Sequence, residues 1–235
     1  MADINVYGAI GDDFWDDNCV SAADFSKALA DANGEDVTIH INSCGGNVFD
    51  ANTMAELLRA YKGKSTASIE GVAASAASYF ALTADEVVMN PSALMMVHNP
   101  STVCAGQASD MRECADFLDK VCGTIVSQYV KKTGNGADEI RALMDAETWM
   151  DAKEALERGF VDSLTDDEPV TACVSAEVLK RFKNAPDNLG KAAGDTEPTI
   201  ISDKHGNHAA SGAVAAGAGA APRKTVCVKG QFLTY

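Results

Sequence analysis

Apolar and polar residues alternate over residues 4–10, the period-two pattern of a short strand, with Gly8 and Gly11 as punctuation. Over residues 21–31 the spacing becomes helical: Ser21 suits the N-cap, Phe25, Leu29 and the alanines form the apolar side, and Asn33-Gly34 stops the run. Residues 37–41 put Val37, Ile39 and Ile41 on one face of a strand, which runs into Asn42-Ser43-Cys44-Gly45-Gly46-Asn47. An amphipathic helix follows over 51–62, with Met54, Leu57, Leu58 and Tyr61 at helical spacing. Strands are then predicted at 66–69, 86–89 and 94–97, with a helix-like run at 76–83. A long helix lies within 106–132, where Met111, Ala115, Leu118, Cys122, Ile125 and Tyr129 form one stripe suited to core or subunit contact. A short helix over 138–144, a brief strand at 148–150, a helix opened by Asp151 and Glu154 and closed by Gly159, and extended structure at 160–162 complete the pattern. Strands alternating with helices predict an α/β core with substantially parallel pairing.

Beyond about Leu164 the pattern is lost. Asp166-Asp167-Glu168-Pro169 is an acidic break, residues 176–182 could form one helix, and the Ala- and Gly-rich stretch 209–221 is predicted unfolded. We therefore expect one folded domain over 1–165 and a C-terminal extension over 166–235, partly helical and then low in complexity. The apolar ends at 226–228 and 232–235 suggest a short strand or a partner contact.

Length and charge narrow the function. The 235 residues suffice for one sizeable core. A formal charge of −15 argues against nucleic acid and against an anionic membrane surface. No apolar run is long enough to span a bilayer, and the first residues do not resemble a secretory signal, so a cytoplasmic location is expected. The seven cysteines include no C-x-x-C pair, which favours reduced thiols over a disulfide framework or a zinc site. His205 and His208 have a metal-compatible spacing but no further ligands nearby, so no metal site is assigned.

Three places could carry chemistry. Ser75, within Gly71-Val72-Ala73-Ala74-Ser75-Ala76-Ala77-Ser78, stands where a strand turns into a helix, with backbone N–H groups free to hold an oxyanion. By itself, this stretch is more simply a small-residue packing helix. Gly45-Gly46 after a strand permits positive φ and close approach of a ligand, and is equally an ordinary tight turn. His98, at the end of an apolar strand, could be a base or a hydrogen-bonded surface residue.

Four blocks in order decide between these readings: Ile41-Asn42-Ser43-Cys44-Gly45-Gly46, Gly71-Val72-Ala73-Ala74-Ser75, Met95-Met96-Val97-His98-Asn99-Pro100, and Glu147-Thr148-Trp149-Met150-Asp151-Ala152 with Glu154-Ala155 and Gly159-Phe160-Val161-Asp162. Together with a long helix headed by Gly106-Gln107-Ala108-Ser109-Asp110, they resemble the Clp protease proteolytic subunit family, the ClpP-like serine peptidases, over roughly residues 4–164. The resemblance implies a ClpP/crotonase-like fold of repeated β-β-α units. It implies Ser75 as nucleophile, His98 as general base, the N–H groups of Gly46 and Ala76 as oxyanion hole, and a peptide bound as an added strand beside Gly45 and Gly46. Where the family usually has Asp, this chain has Glu147, with Asp145 as the substitute candidate for the acid of the triad. Cys44 stands where the family usually has proline, and is read as a tolerated small residue.

The same resemblance implies a polypeptide substrate, no cofactor, and a homo-oligomeric ring, a heptamer or a double ring joined through the long helix. A Clp ATPase is a family partner, but the chain begins almost directly on its first strand, which puts that partner in question. That start, the Glu-Thr-Trp-Met block and the C-terminal extension look more like the ClpP-related head maturation proteases of tailed phages, which act on capsid or scaffold proteins. The alternatives are a general protein-degrading subunit working with an ATPase, or a catalytically idle crotonase-fold assembly protein. A crotonase-type acyl-CoA enzyme would not need Ser75 and His98 together. A Ser–Lys protease would need a lysine between Gly71 and Pro100, where there is none.

Overall fold

The computed structural model describes residues 1–11, 19–166 and 180–186, and the backbone of 225–228 and 231–234. Most of the helix expected at 176–182, the unfolded stretch 209–221, and His205 and His208 lie outside the described residues. Residues 180–186 carry no regular structure. The chain divides into two compact units, Met1–Ser101 with Phe117–Ala192, and Thr102–Asp116 with Ala193–Tyr235.

In chain order the elements are β1 (Ala2–Ile10), β2 (Cys19–Val20), α1 (Ala22–Asp31), β3 (Val37–Gly46), α2 (Val48–Ala60), β4 (Ser65–Ala74), α3 (Ala76–Ala81), β5 (Glu86–Met89), β6 (Leu94–Val97), α4 (Ala108–Thr133), α5 (Ala137–Asp145), β7 (Thr148–Asp151), α6 (Ala152–Glu157), β8 (Ser163–Leu164), β9 (Thr225–Val228) and β10 (Gln231–Thr234). The first unit carries an eight-stranded sheet whose main path, β2-β1-β3-β4-β5-β8, is parallel throughout, as the strand–helix alternation predicts, with β6 and β7 branching from β4. β9 and β10 pair antiparallel in the second unit.

β4 changes neighbours along its length. Thr66 to Ile69 pair with β5, and Val72 to Ala74 pair with β6, which pairs antiparallel with β7. This local switch brings the ends of β3, β4, β6 and β7 together. Burial along β3 alternates strictly from Val37 to Gly45, whereas β4 is buried at every position from Gly71 to Ala74. Alternate residues of a strand face opposite sides. The second half of β4 is therefore covered on both faces: Ala73 joins the main core, and Val72 and Ala74 join a small cluster with Met96.

The main core is built from Val6, Ile10, Ile39, Ile41 and Ile69 of the strands and Phe25, Met54, Phe80 and Tyr129 of the helices. α1 starts at Ser21 in a capping box with Asp24, and α6 at Asp151 in one with Glu154, as expected from those residue types.

Besides β4, which runs past the expected 66–69 to Ala74, two elements differ from the pattern reading. β3 does not end at Ile41 but continues through the paired glycines, because Gly45 and Gly46 still pair with Ala9 and Ile10 beyond a bulge at Ser43-Cys44 of β3. A Cβ on Gly46 would sit 2.3 Å from the Ile10 carbonyl oxygen, so only glycine allows the strands to approach there. The extended segment expected at 160–162 begins later: Phe160 and Val161 turn into the core, and pairing starts where Asp162 N–H donates to the Val87 carbonyl. On α4 the stripe is divided. Ile125 and Tyr129 are buried, while Met111 and Ala115 are exposed. Among the described residues no helix is long and apolar enough to cross a membrane.

Candidate active site

Ser75 is the hinge between β4 and α3. It holds φ 54°, ψ −124°, a positive φ that L-residues seldom adopt. Three contacts brace this corner. Ser75 N–H donates to the Met96 carbonyl at 2.9 Å, extending the β4–β6 ladder. The Ser75 carbonyl accepts from Ser78 Oγ at 2.7 Å and from Tyr79 N–H at 3.2 Å. Ser78 Oγ in turn lies 2.8 Å from the Tyr129 hydroxyl. The single Ser78 proton is committed to the Ser75 carbonyl, so the Tyr129 hydroxyl donates. Burial pushes the Tyr129 phenol well above its usual range, so it keeps its proton. Sequence reasoning missed this chain; Tyr129 was visible only as one member of the α4 stripe.

Ser75 Oγ meets His98 Nε2 at 2.7 Å. His98 follows β6 directly, and β6 is registered on β4 with Ala74 opposite Met96, so one ladder presents both side chains at its end. Burial pushes the imidazole below its ordinary pKa; Glu147 opposes this and Lys183 adds to it.

Gly45 packs directly under the corner. A Cβ there would come within 2.6 Å of the Ala74 carbonyl oxygen and 2.8 Å of Ala76 N. Its φ of +88° and this contact both demand glycine. Gly46, the next residue, is exposed. Ala76 opens α3, where N–H groups lack intrahelical acceptors. The sequence thus folds so that the Gly45-Gly46 strand end and the first turn of α3 flank the serine.

The two candidate acids part company. Glu147 is buried, holds a positive φ of 48° after α5, and accepts a 2.7 Å hydrogen bond at Oε1 from Asn184 N–H. Asp145 is exposed and accepts from Asn99 Nδ2 at 2.7 Å. Of the two, only Glu147 acts on the charge of His98. Cys44 is half-buried and packs with the small cluster of Val72, Ala74 and Met96. Phe182 and Asn184 were not anticipated, since nothing in residues 180–186 has a pattern that marks a site.

A cavity of about 170 Å³ opens beside the corner, lined by Val48, Phe49, Asn52, Tyr79, Val121, Thr124 and Ile125. Val48 is two residues beyond Gly46, and Tyr79 is one turn beyond Ser75. Among the described residues no cluster of His, Cys, Asp and Glu could hold a metal ion.

The comparisons with known proteins agree with one another. The family model described as Clp protease matches residues 18–168. The ATP-dependent Clp protease proteolytic subunit 1 of Chlamydia trachomatis is 31% identical over 135 residues, covering 56% of this chain and 70% of the relative. The protein of the same name from Protochlamydia amoebophila is 32% identical over 135 residues, covering 56% of this chain and 66% of the relative. The matched span contains the whole Ser75 corner, the β6 end and Glu147, and on this similarity the chain belongs to the Clp protease family.

Proposed function

We propose that the protein is a serine endopeptidase of the ClpP type in which Ser75 is the nucleophile, His98 the general base and Glu147 the acid. The carrying observation is the 2.7 Å contact of Ser75 Oγ with His98 Nε2 at a corner whose backbone is held in a strained conformation. His98 takes the Ser75 proton as Oγ attacks the scissile carbonyl. The N–H groups of Gly46 and Ala76 receive the oxyanion. His98 then gives its proton to the leaving amine, and water, activated by the same imidazole, hydrolyses the acyl-enzyme. Glu147 stabilises the imidazolium. Its burial and its influence on His98 support it over Asp145.

The peptide binds as an added strand along the Gly45-Gly46 end of β3, and the 170 Å³ cavity takes the side chain before the scissile bond. That volume is below the ~300 Å³ of sites for whole small molecules. Its apolar lining favours one medium-sized apolar residue.

The exposed Met111 and Phe117 on the first half of α4 support assembly of subunits into rings through that helix. The Glu at the acid position and the Glu-Thr-Trp-Met block support a head maturation protease that processes capsid or scaffold protein, with residues 1–165 as the peptidase domain. Fluorophosphonate treatment followed by intact-mass analysis tests the chemistry. One adduct is expected on wild type, none on Ser75→Ala, and a much slower one on His98→Ala. An unlabelled, well-folded wild type would overturn the assignment.

A further inference from the structure

Residues 180–186, beyond the matched span, return to the site. Val72 and Ala74 of β4 and Met96 of β6 face away from the main core, and this apolar patch is covered by Cys44, Trp149 and Phe182. The Phe182 ring centroid lies 5.8 Å from that of His98 and 5.5 Å from that of Trp149, edge-on at 87°. One residue later, Lys183 adds a positive field at the imidazole. Asn184 then clips onto the turn between α5 and β7. Its N–H donates to Glu147 Oε1 at 2.7 Å, and its Nδ2 donates to the Ala146 carbonyl at 2.8 Å.

We propose that Phe182 and Asn184 are positioning residues of the active site: a segment from beyond the strand-and-helix core walls in His98 and holds the Glu147 carboxylate in place. This deepens the serine-peptidase reading and rests on it. Glutamate carries one more rotor than the aspartate usual in the family, so its carboxylate has a wider range of positions. The Asn184 N–H pins one of its oxygens and so narrows that range. Phe182, itself backed by Trp149, lies against the His98 ring and keeps water from that side.

The segment completes the site and does not block it. The Ser75–His98 contact is formed with Phe182 in place, and no residue of 180–186 lines the cavity beside Ser75. The charged groups acting on His98 are Glu147, from the turn before β7, and Lys183 of the segment; Asp145 is engaged by Asn99.

The test uses the full chain carrying Phe182→Ala, Phe182→Leu, Asn184→Pro or Asn184→Ala. Two quantities are read: the fluorophosphonate labelling rate of Ser75 across pH, and the His98 titration by NMR of 13C-labelled histidine, assigned with His98→Ala. Misplacing the pair slows labelling by roughly 10- to 100-fold in Phe182→Ala and Asn184→Pro. Phe182→Leu, which keeps an apolar cover, and Asn184→Ala, which keeps the main-chain N–H, stay near wild type. Water reaching His98 in Phe182→Ala moves its titration, and the acidic limb of labelling, to higher pH. Thermal melting reports whether each variant folds; should Phe182→Ala unfold, Asn184→Pro against Asn184→Ala decides. Wild-type rates with an unmoved limb in Phe182→Ala and Asn184→Pro would overturn the proposal. Faster labelling would also overturn it, by making the segment an obstruction. If wild type does not label at all, the peptidase reading fails separately; an unmoved His98 titration in Phe182→Ala would then sink the wall as well.

Discussion

Replacing Ser78 by alanine tests whether the strained corner at Ser75 is held from behind. Ser78 Oγ donates to the Ser75 carbonyl and accepts from the buried Tyr129 hydroxyl. Ser78→Ala removes the first bond, at about 1 kcal/mol, and leaves the Tyr129 hydroxyl without a partner in the core, at about 1–3 kcal/mol. The sum is about 2–4 kcal/mol. Tyr129→Phe removes only the outer bond and leaves Ser78 bonded to the carbonyl, so it costs about 0.5–1.5 kcal/mol. In the double variant there is no orphaned hydroxyl, and the loss is smaller than the sum of the singles by about 1–2 kcal/mol. Urea unfolding at one fixed protomer concentration measures all three, because assembly makes apparent stability depend on concentration. Ser75 labelling should slow more in Ser78→Ala than in Tyr129→Phe, since only the former removes a bond to the strained carbonyl and leaves it to Tyr79 N–H alone. Additivity within about 0.5 kcal/mol, or a Tyr129→Phe loss larger than that of Ser78→Ala, would refute the relay.

Three further outcomes follow from the geometry. His98 is held below its ordinary pKa, so the neutral base persists into more acidic solution, and the acidic limb of labelling should lie below the ~6.5 of a free histidine. The unfolded chain takes up that proton first, so this contribution to stability is full above about pH 6.5 and falls as pH drops from there; urea midpoints against pH check the sign. Glu147→Gln should slow labelling by about 10²–10⁴-fold, whereas Asp145→Asn, which can still accept from Asn99, should label at the wild-type rate. Gly46→Ala places a methyl against the Ile10 carbonyl at a φ of +150°, and should cost at least about 1–3 kcal/mol in urea unfolding through the lost β1–β3 approach.

Much of this architecture was readable from residue pattern. A period-two run found β1 closely, and short apolar runs bounded by turn residues found β5 and β6. The ends of β3 and β4 were not readable. Asn42 to Gly46 and Gly71 to Ala74 are small or turn-forming residues, and only pairing with β1 and β6 keeps them extended. Ser75 and His98 were singled out through motif order, which carries no distances; their contact depends on the β4–β6 register. Phe182 and Asn184 left no trace because their partners lie far back in the chain: Val72, His98, Ala146 and Glu147. A single aromatic among charged residues has no periodicity to betray what it covers.

The bond from Ser75 N–H to the Met96 carbonyl fixes more than a distance. It ties the proposed nucleophile to the strand that ends at the proposed base, so thermal breathing of the sheet carries the two groups together. Partial openings elsewhere, such as the two-residue pairing of β8 on β5, can come and go without separating them. Amide exchange at Ser75 should therefore be among the slowest in the chain, and reactivity should persist on heating until the sheet melts as a whole.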